Sequence, residues 1–107
     1  MIRRYARIRQ VGLKPRRGQI RDDAYRRWVK SQPCIIQNKS CWGPIDPHHV
    51  GHYGQGRAND YNTVPLCRRH HDQAQSLRRV EFESRYGISF SAAITGLNDE
   101  YRVRRVA

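Results

Sequence analysis

Residues 65–71 read Pro65-Leu66-Cys67-Arg68-Arg69-His70-His71, and residues 48–50 upstream read His48-His49-Val50. All five histidines and all three cysteines of the chain fall between Cys34 and His71. That concentration divides into two sets of ligands. Cys34, Cys41, Cys67 and His70 offer four sulfur and nitrogen donors, the set that a tetrahedral Zn²⁺ prefers. A Cys-x2-His pair at the start of a helix aims both side chains at one point. The six residues between Cys34 and Cys41 are more than the usual two to four, so this half-site needs an extra turn, and the alternative is that both are ordinary buried thiols. An odd number of cysteines also argues against a disulfide framework and for a metal with a non-cysteine fourth ligand.

The second set is His48, His49 and His71. Neighbours on a strand point to opposite faces, and neighbours on a helix diverge by about 100°. His48 and His49 are therefore expected to do different work, and His71 to look away from the zinc set that His70 joins. If His48 and His71 converge, they can hold one divalent cation with open positions, leaving His49 as a general base.

Around these sites, Asp22 and Asp23 cap a helix to about Ser31 with Tyr25, Trp28 and Val29 on one face. Pro33 ends it, and residues 34–47 read as a loop with a knuckle-like turn. Two short strands are expected near His49-Val50 and Thr63–Leu66, with a long loop between them. Helices follow over Arg68–Ser76 and Leu77–Tyr86. The latter turns Val80 and Phe82 inward and is stopped by Gly87. Ser89 or Ser91 caps a last helix. Trp28 and Trp42 are expected to pack the core or cover the knuckle.

The length, 107 residues, is that of one domain. Its core is thin enough that a metal staple is expected. The net charge of +12 favours a polyanionic partner. No apolar run long enough to span a bilayer and no secretory h-region is present, which leaves DNA over membrane and makes the cytoplasm of a bacterial host the expected compartment. Residues 1–20 hold seven basic side chains and no acidic one, and read as a basic flexible arm; residues 21–107 form the domain.

His48-His49-Val50, Asn62, Leu66-Cys67 and Cys67-Arg68-Arg69-His70-His71 together resemble the motif of the HNH, or ββα-metal, endonuclease superfamily. With Asp72-Gln73, Phe82-Glu83 and Tyr86-Gly87, they are similar to small phage and prophage nucleases of the recombination-enhancement, RecA-dependent type. The resemblance covers roughly residues 22–90. It implies a small α+β fold, a zinc-stapled ββα-metal core with flanking helices, and cleavage of DNA to 5′-phosphate and 3′-hydroxyl ends. By position it makes His49 the base, and His48 and His71 the ligands of a catalytic Mg²⁺ or similar cation. Asn62 has the spacing of the family asparagine, and Asp60 is the competing candidate for that middle place. Arg57, Arg68 and Arg69 are the expected phosphate contacts. A recombinase filament is a further partner that the resemblance admits. Gln75 stands where some relatives supply another histidine. The competing readings are a zinc-stabilised DNA-binding or recruitment module without catalysis, and an RNA-directed nuclease. His52 and Gly51, Gly54 and Gly56 belong to the connecting loop.

Overall fold

The structure, a computed structural model, describes residues 20–51 and 59–106. The basic arm (save Ile20), His52, Arg57 and the loop glycines Gly54 and Gly56 lie outside the described residues. Within them the chain folds as a small α+β domain. Helix α1 spans Asp23–Lys30, strands β1 and β2 span Ile45–His49 and Thr63–Cys67, and helices α2, α3 and α4 span Arg68–Ser76, Arg79–Tyr86 and Phe90–Val106. None of these helices is long and apolar enough to cross a membrane.

The two strands pair antiparallel, with Pro47 opposite Pro65, His48 opposite Val64 and His49 opposite Thr63. The first strand thus starts four residues earlier than expected, because Pro47 does not break it. The Pro65 carbonyl points away from β1 and accepts the Ile35 N–H at 3.0 Å, and the Val50 N–H reaches the Asn62 carbonyl at 2.8 Å. The two prolines therefore form a non-hydrogen-bonded pair, where a missing N–H costs the ladder nothing.

Capping fixes the helices. Asp22 accepts the Tyr25 N–H at 3.0 Å and opens α1. Gly87, in the left-handed region at φ 63°, closes α3. Ser89 Oγ accepts the Ala92 N–H at 3.1 Å, and Glu83 accepts that of Phe90 at 2.7 Å, so α4 begins where two side chains satisfy its free donors. Val80 corrects the expectation for α3. It is 74% exposed whereas Phe82 is fully buried. Residues two positions apart on a helix are turned about 200° from each other, so only one of them can face the core; Leu77, before the helix, is the residue that packs inward.

Val64, Leu66, Phe82 and Phe90 form the main core beside Cys34 and Cys67. Phe82 stacks on Phe90 at 5.6 Å and meets Tyr86 at 5.0 Å. Phe82→Ala should therefore cost about 3–5 kcal/mol, read by urea denaturation; a loss under 1 kcal/mol would deny Phe82 this role. A second cluster, Tyr25, Trp28 and Tyr101, joins α1 to α4. There the Tyr25 hydroxyl donates to Asn98 Oδ1 at 2.7 Å, and burial pushes its pKa up to about 12. Tyr25→Phe should lower stability by about 1 kcal/mol in the same measurement, and an unchanged midpoint would show that the hydrogen bond contributes nothing net.

Candidate metal centre and adjoining histidine cavity

The end of β2 and the first turn of α2 deliver Cys67 and His70 to one point, and the loop after α1 brings Cys34 and Cys41 to meet them. Ligand atoms of all four lie within 4.8 Å of one another. His70 Nδ1 stands 3.6, 3.6 and 3.1 Å from the sulfurs of Cys34, Cys41 and Cys67. A tetrahedral ion with metal–sulfur bonds near 2.3 Å spaces its ligands at roughly 3.5–3.8 Å, so the donor set fits a metal ion such as zinc. The long gap between Cys34 and Cys41 is taken up by a turn. Gln37 adopts φ 50°, the Cys41 N–H bonds the Asn38 carbonyl, and Asn38 Oδ1 accepts the Ser40 N–H and hydroxyl.

Two details suit the cluster to a cation. The Ser40 hydroxyl is committed as a donor to Asn38, so at 3.0 Å it accepts Nε2–H of His70, which puts the lone pair of that ring on Nδ1, toward the sulfurs. Burial works against a charged Cys67, yet the backbone N–H groups of His70 and Trp42 hold its thiol below the usual range. Gly43 is held at φ 88° with its Cα against Arg68, where a Cβ would lie 2.7 Å from that side chain. Trp42, expected to cover the knuckle, is instead 63% exposed, because its backbone rather than its ring meets Cys67 and Arg69.

The second histidine set lies one residue along α2. His48 and His71 meet edge to face with ring centroids 5.2 Å apart, and His48 also packs on Phe90 at 5.7 Å. Burial, with smaller contributions from the charges of His71 and His49, pushes the His48 pKa down to about 4, so its ring is neutral and able to ligate at physiological pH. His49 turns to the other side, where its Nε2 lies 2.9 Å from Asp60 Oδ1 with the imidazole 28% exposed. Asp60, only 5% exposed, also accepts the Asp22 N–H at 2.7 Å and faces Arg26 Nε at 3.2 Å. The side chain of Asn62 is exposed, and its backbone, not its amide, ties the strands. Of the two candidates for the middle position, Asp60 is thus the one brought to His49.

His48, His49, Gly51, His71, Gln75, Arg79 and Phe90 line one cavity of about 870 Å³. The cysteine cluster is the one group of three or more His, Cys, Asp or Glu side chains with metal-ligand spacing among the described residues. The cavity offers the pair His48 and His71, with Asp46 bonded to His71 behind them.

Over residues 10–103 the sequence matches the family described as "Protein of unknown function (DUF968)". The chain belongs to this family. Another similar protein is the "Uncharacterized protein YdfU" of Escherichia coli (strain K12), 41% identical over 78 residues. That match takes in 68% of this chain and 21% of YdfU, so the chain spans about a fifth of the relative's length. No solved structure matches it significantly.

Two residues of this DUF968 chain, Asp46 behind the cavity and Arg79 on its wall, escaped the sequence reading. Asp46 is the clearest: it precedes His48 by two on a strand, and the period of two places both on one face. It bonds Arg68 at 2.8 Å and His71 at 3.1 Å. Arg79 reaches the cavity from α3 with its guanidinium bonded to Ser91 at 3.0 Å and 5.8 Å above the Phe90 ring. No local pattern marks Arg79, since its place depends on how α3 and α4 pack. Of the expected phosphate contacts, Arg68 and Arg69 are both exposed, and Arg68 is also paired with Asp46.

Proposed function

We propose that this chain is a metal-dependent DNA endonuclease of the HNH, ββα-metal type, acting in the processing or recombination of phage or prophage DNA. The observation that carries the reading is the split between neighbouring histidines. His48 meets His71 across the hairpin–helix contact, while His49 is held by Asp60 at the rim of the same cavity. A ββα unit stapled by zinc at Cys34, Cys41, Cys67 and His70 is the framework that would hold this arrangement rigid.

His48 and His71 are the side chains that would hold a divalent cation such as Mg²⁺, which when bound stabilises the negative charge developing on a phosphodiester. His49 supplies the proton acceptor. With Nε2–H donated to Asp60, Nδ1 is the basic nitrogen, and it takes the proton from the attacking water. Asp60 fixes the ring and its tautomer. Arg69, Arg79 and Arg57 supply positive charge for the backbone phosphates, and the excess of basic residues over the whole chain makes binding fall steeply with salt.

Incubation with supercoiled plasmid, with and without Mg²⁺ or Mn²⁺, tests the reading. Nicked and linear products that require the divalent ion are expected. Intact plasmid under all conditions, together with salt-sensitive binding, would favour the second reading, a zinc-stabilised DNA-binding or recruitment module. Gln75 speaks for that alternative, since an amide stands 3.5 Å from His71 Nε2 where a further ligand would sit.

A further inference from the structure

We infer that Asp46 is a positioning residue for the divalent-cation site. Arg68 orients and neutralises its carboxylate, the carboxylate takes Nδ1–H of His71, and Nε2 of His71 is thereby presented to the cavity. The inference rests on the proposed cation site of His48 and His71.

The geometry leaves little latitude. Arg68 grips Asp46 with two hydrogen bonds, Nε to Oδ2 at 2.8 Å and Nη2 to Oδ1 at 3.3 Å. Such a bidentate pair fixes the plane of the carboxylate as well as its charge. Asp46 Oδ2 lies 3.1 Å from His71 Nδ1. A neutral imidazole has one donor and one acceptor nitrogen. An ionised carboxylate can only accept, so Nδ1 carries the proton and the lone pair is on Nε2. Metal-binding histidines are commonly held this way, by a carboxylate on the nitrogen away from the metal.

The neighbouring histidine makes the same arrangement with the nitrogens exchanged. His70 gives Nε2–H to Ser40 and points Nδ1 at the sulfurs. Two consecutive histidines on α2 are thus set to opposite tautomers by partners on different segments, Ser40 in the knuckle and Asp46 on β1. Arg68, which the sequence offered as a phosphate contact, is committed to this relay.

The test uses the zinc-loaded 107-residue chain, with Mn²⁺ titrated in a calorimeter and histidine tautomers read by long-range ¹H–¹⁵N correlation before Mn²⁺ is added. Asp46→Asn should weaken Mn²⁺ binding by about 10–100-fold and remove the single Nδ1–H form of His71, while zinc content and melting temperature stay near those of the parent. Arg68→Gln should weaken Mn²⁺ binding in the same direction but less. Asp99→Asn, which removes an equal charge on α4, should leave Mn²⁺ binding alone. Parent-like affinity in Asp46→Asn overturns the inference. So does weaker binding with an unchanged His71 tautomer, which would reduce Asp46 to a distant charge. A parent that takes up no Mn²⁺ beyond its zinc overturns the cation site itself, a result distinct from a parent that binds and a variant that binds equally.

Discussion

Replacing His49 by alanine is expected to lower divalent-dependent plasmid cleavage by about 10²–10⁴-fold, the usual contribution of a positioned general base. The variant should keep its affinity for DNA and most of its thermal stability, because the ring is partly exposed at the end of β1. Loss of cleavage with retained binding separates chemistry from docking. Asp60→Asn belongs to the same test. It keeps the shape but loses the carboxylate that fixes the His49 ring and its tautomer, so it should cut more slowly than the parent and faster than His49→Ala. Because Asp60 also takes the Asp22 N–H and faces Arg26, some stability should go with it, and activity must be compared at a temperature where both proteins are folded. Cleavage by His49→Ala at the parental rate would remove His49 from the mechanism.

Stripping the metal from the cysteine cluster is expected to have the largest effect on the fold. A structural Zn²⁺ binds with an apparent free energy of about 10–16 kcal/mol in small domains at neutral pH, whereas whole-domain stability is only about 5–15 kcal/mol. Here the metal would tie the loop after α1 to the β2–α2 junction, and Cys34 and Cys67 belong to the main buried cluster. A strong chelator, or Cys67→Ala, should abolish the cooperative thermal transition and the native far-ultraviolet spectrum. Native mass spectrometry should find one zinc in the parent and none in the variant. A chelated protein that melts at the parental temperature would show that hydrophobic packing alone suffices.

The sequence disclosed local features more readily than distant contacts. The Asp22 cap, the helix from Arg68 to Ser76, the Gly87 stop and, as one of two candidates with Ser91, the Ser89 cap were legible because each depends on residues within one turn of chain. The cysteine cluster was legible because few residue types can serve as soft ligands and all of them lay in one stretch. Pro47 hid the start of β1, since proline ordinarily argues against a strand and only the pairing with Pro65 shows why it is tolerated. Val80 misled because apolar character says nothing of which side of α3 meets α4. Asp46 and Asp60 were underweighted for a related reason. An isolated acidic residue looks like solvent-facing charge until His71 and His49, 25 and 11 positions away, are seen against them. The HNH reading itself came from the motif, and the structure contributes the geometry of the histidines, not the assignment.

The facing prolines also govern how the hairpin meets other chains. At Pro47 the outer edge of β1 has no N–H to offer, midway along a strand of five residues, and at Pro65 the corresponding carbonyl is already taken by Ile35. An incoming strand finds its ladder interrupted at the centre on one side and filled on the other. The ribbon is in this way shielded from edge-to-edge aggregation, and association should proceed through side chains on its faces and not by adding strands.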